Sequence, residues 1–504
     1  MTDVNKKMAE LRTLLSEVND LEMAGALLGW DQLTYMPNGG AEARGRQLAT
    51  LAKLAQEKFI DPAVGKLLDS LRGYEESLPF EHDDASLLRV TRRDYEHATR
   101  VPPEFLMEFN IHATNSYQAW AEARPQNDFA KVRPYLEKTL ELSRRYAEFF
   151  PGFEHIADPL IDLSDQGMKA STVRELFGQL RSELVPIVKA ITSQAPADDS
   201  FLHHAYPEAQ QLKFGEMVVR KLGYDFNRGR IDKTHHPFMT KFSLGDVRIT
   251  TRVRETYLGE ALFSNMHEAG HAMYEQGIDQ AYEASPLGGG ASSGVHESQS
   301  RTWENLVGRS RAFWQHFYPQ LVQEFPQQLA GVSVDQFYRG INKVERSLIR
   351  TDADEVTYNL HVMLRFDLEL QMLEGKLEIR DLPQAWNERF HSDFGITPPE
   401  DKNGCMQDVH WYGGFIGGAF QGYTLGNILS AQYYQAALKA DPAISSDLAQ
   451  GNFTSLHRWL KENLYRHGRK FTANELTKRA TGSELQIAPY IAYLNTKYGE
   501  LYDI

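Results

Sequence analysis

The segment NMHEAGHAMYEQG, residues 265–277, contains His267, Glu268 and His271 in the order H-E-x-x-H. If the segment is helical, residues four positions apart lie one turn apart on the same face. The two imidazoles can then bind one divalent metal ion, while Glu268 lies beside the ion without binding it. Metal ions held in this way activate water for hydrolysis, so the spacing favours a hydrolytic metal site. Two helix histidines with ordinary hydrogen-bond partners are the alternative.

A catalytic zinc ion needs a third protein ligand and one open position for water. Residues 272–292 leave enough chain for the helix to end and for the backbone to turn back. The next segment, HESQSRTWEN, then offers Glu297 as an oxygen ligand. If this segment is also helical, Glu304 lies two turns beyond Glu297 on the same face, where its carboxylate could orient a ligand imidazole. A solvent-facing position for Glu304 is the alternative.

Several further motifs follow one another along the chain. They are HPF (236–238), DVRIT (246–250), HEAGH (267–271), HESQ (296–299), IRTDAD (349–354) and GCMQDVHW (404–411). With these motifs, and in this order, the chain resembles the M32 metallocarboxypeptidases, the family typified by carboxypeptidase Taq. The early segment WDQLTYMPNGG also matches the family, so the resemblance spans nearly the whole chain.

The resemblance implies three zinc ligands, which are His267, His271 and Glu297. Glu268 would be the general base in a carboxypeptidase that releases C-terminal residues from peptides by attack of a zinc-activated water. Cobalt or manganese could take the place of zinc, because the identity of the ligands does not fix the metal. One segment departs from the family: YGGFIGGAFQG, residues 412–422, replaces an F-G-Y-F-P-like stretch and leaves the side-chain preference open.

A carboxypeptidase must also recognise a free carboxylate, and the planar fork of an arginine can bind both carboxylate oxygens at once. Judged from the residues alone, Arg248, Arg252 or Arg350 could serve, and an ion-paired or surface arginine is the alternative for each. The resemblance implies that Arg350 of the IRTDAD motif is the carboxylate anchor.

Four other polar residues are candidates for binding the substrate. His410, Tyr412 and Tyr423 lie in or beside a glycine-rich segment and could donate to the oxyanion that forms on attack. Tyr423 opens the segment YTLGN, which matches the family. His236 of the HPF motif could contact the substrate or brace a neighbouring strand. Packing or surface hydrogen bonding is the alternative role for each of the first three side chains.

The pattern of apolar residues predicts a mostly helical chain. Residues 11–21 show the three-and-four spacing of an amphipathic helix, and similar segments recur along the sequence. DVRITTRV, residues 246–253, alternates apolar and polar residues and predicts a strand. SPLGGGASSG, residues 285–294, is too glycine-rich for regular structure, so we expect a surface loop or, between two site helices, a mobile active-site loop.

The domain organisation is predicted to be simple. No linker divides the chain, so residues 1–504 are expected to form a single peptidase domain. The resemblance implies a large helical body with a long, deep substrate groove like that of neurolysin. Two lobes would flank this groove, and a small sheet that includes DVRIT would lie beside the active site.

Composition limits the classes of binding partner and the cellular locations that we expect. The 54 basic and 68 acidic residues leave a net charge of −14 without a Lys/Arg cluster, which disfavours nucleic acid as a partner. No apolar run approaches the roughly 18 residues that span a membrane, and the N-terminus lacks the pattern of a secretion signal. Cys405 is the only cysteine, so no internal disulfide can form. These features predict a cytoplasmic protein, and the resemblance implies a homodimer.

Two other functions are compatible with the same residues. A metallo-oligopeptidase that cuts internal bonds of short peptides would use the same H-E-x-x-H chemistry. A non-catalytic binding protein could retain a structural or vestigial metal site. An intact Glu268 argues against this second alternative, and so does a set of three protein ligands, because structural zinc usually has four.

Overall fold

The computed structural model describes residues 3–504, is 69% helical and contains one small sheet. Before the sheet, the α-helices are α1 (Asp3–Thr34), α2 (Ala41–Phe59), α3 (Pro62–Ser70), α4 (Arg72–Ser77), α5 (Asp83–Arg100), α6 (Pro103–Gln126), α7 (Phe129–Glu148), α8 (Asp158–Asp162), α9 (Ala170–Thr192) and α10 (Glu208–Leu222). After the sheet, they are α11 (Leu258–Gly277), α12 (Ser293–Arg301), α13 (Arg311–Glu324), α14 (Val334–Ile341), α15 (Tyr358–Leu373), α16 (Leu382–Phe394), α17 (His410–Gly413), α18 (Gln421–Ala440), α19 (Ala443–Ala449), α20 (Thr454–Asn463), α21 (Ala473–Thr481) and α22 (Ala488–Tyr502). Short 3₁₀ helices span Asn38–Gly40, Ser200–His203, Gln280–Tyr282, Arg350–Asp352, Ile379–Asp381, Asp401–Asn403 and Tyr465–His467, and Thr302–Val307 is π-helical.

The amphipathic pattern near the N-terminus predicts its helix correctly. Residues 11–21 lie within α1, and Leu11, Leu15 and Val18 are its buried positions there. The mostly helical fold class is therefore confirmed. Within residues 3–504, no helix is both long enough and apolar enough to cross a membrane.

The sheet has three strands, β1 (Ile231–Lys233), β2 (Met239–Ser243) and β3 (Asp246–Thr251), in the order β1-β3-β2. β3 is the predicted DVRIT strand; it pairs in parallel with β1 and antiparallel with β2. Val247 and Ile249 are fully buried on the face that packs against α11, as the two-residue period predicts. The strand ends at Thr251, two residues before the predicted end, and Thr250 is also buried, with its hydroxyl bonded to the backbone of Phe238. The sheet therefore lies directly beside the helix that carries the H-E-x-x-H residues.

α18 belongs to both of the large apolar cores. Leu425 and Ile428 pack into the core built mainly from α6, α7, α9, α15 and α16, whereas Leu429 and Tyr433 pack into the core around α10, α11 and α13. α12 packs against α18 on one side and against α11 on the other. The helix that carries Glu297 is therefore wedged between two fixed helices.

Two glycines allow these helices to approach so closely. A Cβ atom on Gly270 of α11 would lie 2.6 Å from the carbonyl oxygen of Gln299 in α12. A Cβ atom on Gly426 of α18 would lie 2.5 Å from the Cγ atom of Glu297. Since no side chain fits at either position, the backbone spacing at both contacts of α12 depends on glycine.

Candidate metal centre

α11 presents an apolar face to the core and its two histidines to the opposite side. Leu258, Leu262, Met266, Ala269 and Met273 are all buried, and they form the apolar stripe expected from the sequence. The rings of His267 and His271 lie one turn apart with centroids separated by 4.9 Å. Burial of the stripe therefore fixes the rotation of the helix, and that rotation directs both imidazoles the same way.

α12 brings Glu297 to the two imidazoles. Its Oε2 atom lies 3.5 Å from Nε2 of His271 and 3.8 Å from Nε2 of His267. Its Oε1 atom accepts hydrogen bonds from the guanidinium of Arg301, one turn along α12, with an Nε–Oε1 distance of 2.7 Å. Arg301 therefore occupies one carboxylate oxygen and leaves the other turned toward the histidines.

These three side chains fit a divalent metal ion. One ligand atom from each of His267, His271 and Glu297 lies within 4.8 Å of the other two. Donors about 2.0–2.2 Å from a tetrahedral zinc lie roughly 3.3–3.6 Å apart, close to the distances between Glu297 Oε2 and the ring nitrogens. Two imidazoles and one carboxylate leave the fourth position open, as in catalytic rather than structural zinc sites.

Glu304 orients His267. Its Oε2 atom lies 2.9 Å from Nδ1 of His267, so the ring donates from Nδ1 and keeps the lone pair of Nε2 for a metal. Arg301 and Arg309 both contact the Glu304 carboxylate. Burial alone would raise the pKa of Glu304, but Arg301 and His267 outweigh it and lower that pKa to about 2. Glu304 is therefore an ionised acceptor and not a solvent-facing residue.

A π-helical turn positions Glu304. α12 continues directly into the segment Thr302–Val307, where the N–H of Gly308 donates to the carbonyl of Trp303 five residues earlier, at 2.9 Å. Such wide turns are rare and occur often at functional sites. Glu304 lies within this turn, with Trp303 and Val307 fully buried around it.

His271 is oriented by a second imidazole, and the sequence spacing does not reveal this contact. The Nδ1 atoms of His271 and His296 lie 2.7 Å apart, and Nε2 of His296 lies 2.9 Å from Oε1 of Glu275. His296 appears in the sequence only as the first residue of the HESQ motif. The four-residue step from His271 to Glu275 on α11 is the signal that could have indicated this chain, since both face the same side.

Glu268 differs from the other carboxylates of the site. It is buried, and no hydrogen bond to its carboxylate occurs within residues 3–504. Burial raises its pKa to about 7, and the nearby charge of Glu297 acts in the same direction. A carboxylate of this kind is a stronger base than an exposed glutamate.

Arg350 is buried and bound to Asp408 along one edge. Its Nε and one terminal nitrogen, Nη2, donate to the two Asp408 oxygens at 2.8 and 2.9 Å, and its Nη1 atom donates to the hydroxyl of Tyr358 at 2.8 Å. Asp408 is also held by Arg365, whose Nε lies 2.7 Å from Oδ2. After these bonds, each terminal nitrogen of Arg350 keeps one N–H without a partner among residues 3–504.

His410 and Tyr423 continue the hydrogen-bond network of Arg350 and Asp408 toward the metal ligands. His410 contacts Oδ1 of Asp408 through Nδ1 at 3.0 Å and the Tyr423 hydroxyl through Nε2 at 3.2 Å. Burial raises the pKa of Tyr423, and the charge of Glu297 contributes in the same direction. Tyr423 is therefore within electrostatic range of both the Arg350 group and the three converging donors.

His236 faces the same region from the segment between β1 and β2. It is exposed, and its imidazole makes no hydrogen bond within residues 3–504, whereas the backbone of Phe238 bonds to Thr250 of β3. Neighbouring atoms that displace water from part of the ring lower the pKa of His236, and the positive charges of Arg252 and Arg350 lower it further. The backbone of the HPF motif thus braces the strand and leaves the His236 ring unengaged.

The remaining sequence candidates have other partners. Arg248 pairs with Asp246, and Arg252 pairs with Glu260 of α11. Tyr412 is buried and stacks on Trp120 instead of joining the group around Arg350.

Cys405 is buried, and burial raises the pKa of its thiol well above the usual value. A buried thiol of this kind packs as a small core residue and is a poor nucleophile.

The glycine-rich segment 285–294 is fixed along α11. The Gly288 carbonyl accepts from Lys241, the Gly290 N–H donates to Glu275 at 3.0 Å, and the Ala291 N–H donates to the Tyr274 hydroxyl at 3.0 Å. The irregular structure expected here is found up to Ser292, the residue before α12, and most of the segment is half-buried. Its backbone is bonded to residues directly behind the metal ligands, and its mobility stays a prediction.

Comparisons with known proteins agree on one family. The family model described as Carboxypeptidase Taq (M32) metallopeptidase matches residues 10–498. Thermostable carboxypeptidase 1 of Thermus thermophilus is 39% identical over 492 residues, with 96% of each chain covered, and Carboxypeptidase 1 of Bacillus subtilis is 36% identical over 494 residues, with 98% of each covered. The crystal structure of the M32 carboxypeptidase from Deinococcus radiodurans R1 matches with a TM-score of 0.96 and 52% identity, over 99% of this chain and 100% of that one. The chain therefore belongs to the M32 family of metallopeptidases and is a metal-dependent carboxypeptidase.

Proposed function

We propose that this carboxypeptidase holds one zinc ion between His267, His271 and Glu297 and releases C-terminal residues from peptides with Glu268 as general base. The observation that carries the proposal is the convergence of two ring nitrogens and one carboxylate oxygen within 4.8 Å of one another. Cobalt is the alternative ion, since the same donors accept both metals.

A zinc ion bound there would polarise the scissile carbonyl and lower the pKa of a bound water toward about 7. Glu268 takes the proton of the attacking water on its carboxylate and delivers it to the leaving amine. Burial supports this role, because it raises the pKa of Glu268 to about 7 and so lets one carboxyl group both accept and release a proton near neutral pH. Glu304 and Arg301 hold the donors in place throughout.

Arg350 anchors the free C-terminal carboxylate of the substrate in this proposal. Support comes from its geometry: Asp408 binds one edge of the guanidinium and leaves one N–H on each terminal nitrogen for two carboxylate oxygens. Arg365 and His410 hold Asp408 in turn. The receptor for the carboxylate is thus preorganised before the substrate arrives.

Three further side chains complete the proposed substrate site. Tyr423 turns its hydroxyl from His410 to the oxyanion that forms on attack, and His410 then contacts the adjacent part of the peptide. His236 contacts the substrate from the strand side, where its ring has no hydrogen-bond partner among residues 3–504. All three are within electrostatic range of Arg350 or its partner Asp408.

The decisive experiment compares a peptide that has a free C-terminus with its C-terminally amidated twin. Mass spectrometry of a time course, with and without added zinc, should show stepwise loss of C-terminal residues from the free peptide only. Equal cleavage of both peptides at internal bonds would instead identify a metallo-oligopeptidase. No cleavage of either peptide by the zinc-loaded protein would reject the enzyme.

The wider setting is proposed on the same basis. We infer a single peptidase domain that covers residues 1–504, because one family model matches residues 10–498 without interruption. A net charge of −14 without a basic cluster supports peptides rather than nucleic acid as partners. A cytoplasmic location stays our prediction from composition, and a homodimer stays our prediction from the family resemblance. The molecular mass in solution tests the dimer.

A further inference from the structure

We propose that His296 is a positioning residue that fixes the proton and the ring orientation of His271 through a buried chain, His271–His296–Glu275–Lys241. The inference rests on the proposed role of His271 as a metal ligand. It adds three residues to the site, and the carboxypeptidase activity does not by itself require any of them.

Only one placement of the ring protons satisfies the hydrogen bonds of this chain. Nε2 of His271 faces Oε2 of Glu297 at 3.5 Å, so its lone pair is the one available to a metal and the ring proton must be on Nδ1. That proton is donated to Nδ1 of His296, 2.7 Å away, which must therefore be unprotonated. The proton of His296 is then on Nε2, and it is donated to Oε1 of Glu275 at 2.9 Å.

Glu275 is built to remain the acceptor at the end of the chain. Its Oε2 atom accepts from the Lys241 ammonium at 2.6 Å, and its Oε1 atom accepts from the Gly290 N–H at 3.0 Å. Burial would raise the pKa of Glu275, but Lys241 and His296 outweigh burial and lower that pKa to about 2. The carboxylate thus stays ionised and holds the Nε2–H of His296 in place.

The ring of His296 is confined as well as hydrogen-bonded. It packs against Tyr274 with ring centroids 5.0 Å apart. A Cβ atom at Gly290 would lie 2.6 Å from the Cδ2 atom of His296 and 3.0 Å from the Cε1 atom of Tyr274. The packing of these two rings therefore requires glycine at 290, which explains one glycine of the segment 285–294 in chemical terms.

The two ligand histidines are thus supported unequally. His267 donates directly to the Glu304 carboxylate, whereas an intervening imidazole separates His271 from the Glu275 carboxylate. Through Lys241 of β2 and Gly290, this second chain ties the sheet and the glycine-rich segment to one metal ligand. A substitution at any residue of this hydrogen-bonded chain should therefore disturb His271 more than His267.

The test measures zinc affinity by chelator competition and the visible absorption of the cobalt-substituted protein. His296→Leu removes the acceptor and should weaken zinc binding by about 10- to 100-fold, the usual effect of losing a residue that orients a ligand. His296→Asn places an amide oxygen near the position of Nδ1 and should restore affinity and cobalt spectrum toward the wild type. His112→Leu, a control that removes an imidazole hydrogen-bonded to Thr139, should change neither measurement.

Three further measurements distinguish a folding defect, loss of the proposed orientation of His271, and an incorrect metal site. The metal-free form of His296→Leu should unfold in one cooperative transition, at a lower temperature than the wild type because two buried hydrogen bonds are lost. If this variant does not fold, Gly290→Ala, which displaces the ring, becomes the deciding variant and should also weaken zinc binding. Unchanged zinc affinity and cobalt spectrum in the deciding variant would overturn the inference. His271→Ala should abolish stoichiometric zinc binding, and if it does not, the proposed metal site itself is wrong.

Discussion

Among the carboxylates that surround the two histidines, Glu268 is the one without a cationic hydrogen-bond partner. Glu297, Glu304 and Glu275 each contact an arginine or a lysine, and the pKa of each is lowered. Burial instead raises the pKa of Glu268 to about 7. Carboxyl groups in one site whose pKa values differ strongly usually have different chemical roles. Here the three groups with a lowered pKa bind or orient the two histidines, and Glu268 is the group suited to proton transfer.

Replacing Glu268 with glutamine should leave the metal site intact and remove the base. We expect Glu268→Gln to bind zinc with the affinity of the wild type, because its carboxylate is not among the three converging donors. Peptide hydrolysis should fall by about 10²- to 10⁴-fold, the range for loss of a general acid–base group. Steady-state kinetics together with metal analysis would check this, and near-normal turnover in the variant would reject the assigned role.

Replacing Arg350 with lysine should weaken recognition of the free C-terminus. A lysine keeps the charge but loses the planar fork, so kcat/KM for a free peptide should fall by roughly 10- to 100-fold, from losing about 1.5–3 kcal/mol of charge-assisted hydrogen bonding. Arg248→Lys is the matched control, since Arg248 pairs with Asp246 on its own strand. If both variants retain the kinetics of the wild type, another group must bind the carboxylate.

At the scale of elements, the metal ligands depend on how closely three helices pack. The H-E-x-x-H helix and the DVRIT strand could be predicted from the sequence, because each shows its period within a short segment. The contact between His296 and His271 could not be predicted, because it depends on the rotation of α12 against α11. That rotation is set by close backbone contacts at Gly270 and Gly426, which a local pattern does not reveal.

Adding one methyl group at Gly426 should therefore disturb the metal site through the contact between α18 and Glu297. Gly426→Ala would place a Cβ atom 2.5 Å from Cγ of Glu297, so α12 or the Glu297 side chain must move. We expect a loss of about 1–3 kcal/mol in the free energy of unfolding, as for other overpacked cores, together with weaker zinc binding. Denaturant unfolding of the metal-free protein and chelator competition measure the two effects.

The matched control for this variant is Gly178→Ala in the middle of α9. A Cβ atom at Gly178 would meet nothing within 4 Å, so only the gain in helix propensity remains. That gain is about 0.5–1 kcal/mol in favour of the folded state, and zinc affinity should not change. Identical effects of the two substitutions would mean that α12 tolerates displacement.

At the scale of the whole molecule, the site lies where separately built parts of the chain meet. α18 contributes residues to both large cores, and α12 packs between α18 and α11. The helical class and the family could be predicted from the sequence, because the motifs extend along nearly the whole chain. The predicted groove, its two lobes and the dimer depend on the shape of surfaces contributed by many distant residues, and no local pattern encodes that shape.

Removing the metal should affect both activity and global stability. A ligand that binds only the folded state stabilises it by about 2.7 kcal/mol when its free concentration is 100 times its Kd, so chelation should lower the melting temperature and abolish hydrolysis. Zinc or cobalt should restore both. The same chelator should leave the melting temperature of His271→Ala unchanged, and full wild-type activity in excess chelator would exclude a metal mechanism.

Because Thr302–Val307 forms a π-helical turn, the number of residues in this segment determines where the Glu304 carboxylate points. Deleting one residue just before Glu304 would let the segment relax into an ordinary α-helix, which should cost the fold little. It would also rotate Glu304 by roughly 100° about the helix axis and point its carboxylate away from His267. Relatives that retain the hydrolytic chemistry should therefore vary here in side chains but have neither gaps nor insertions.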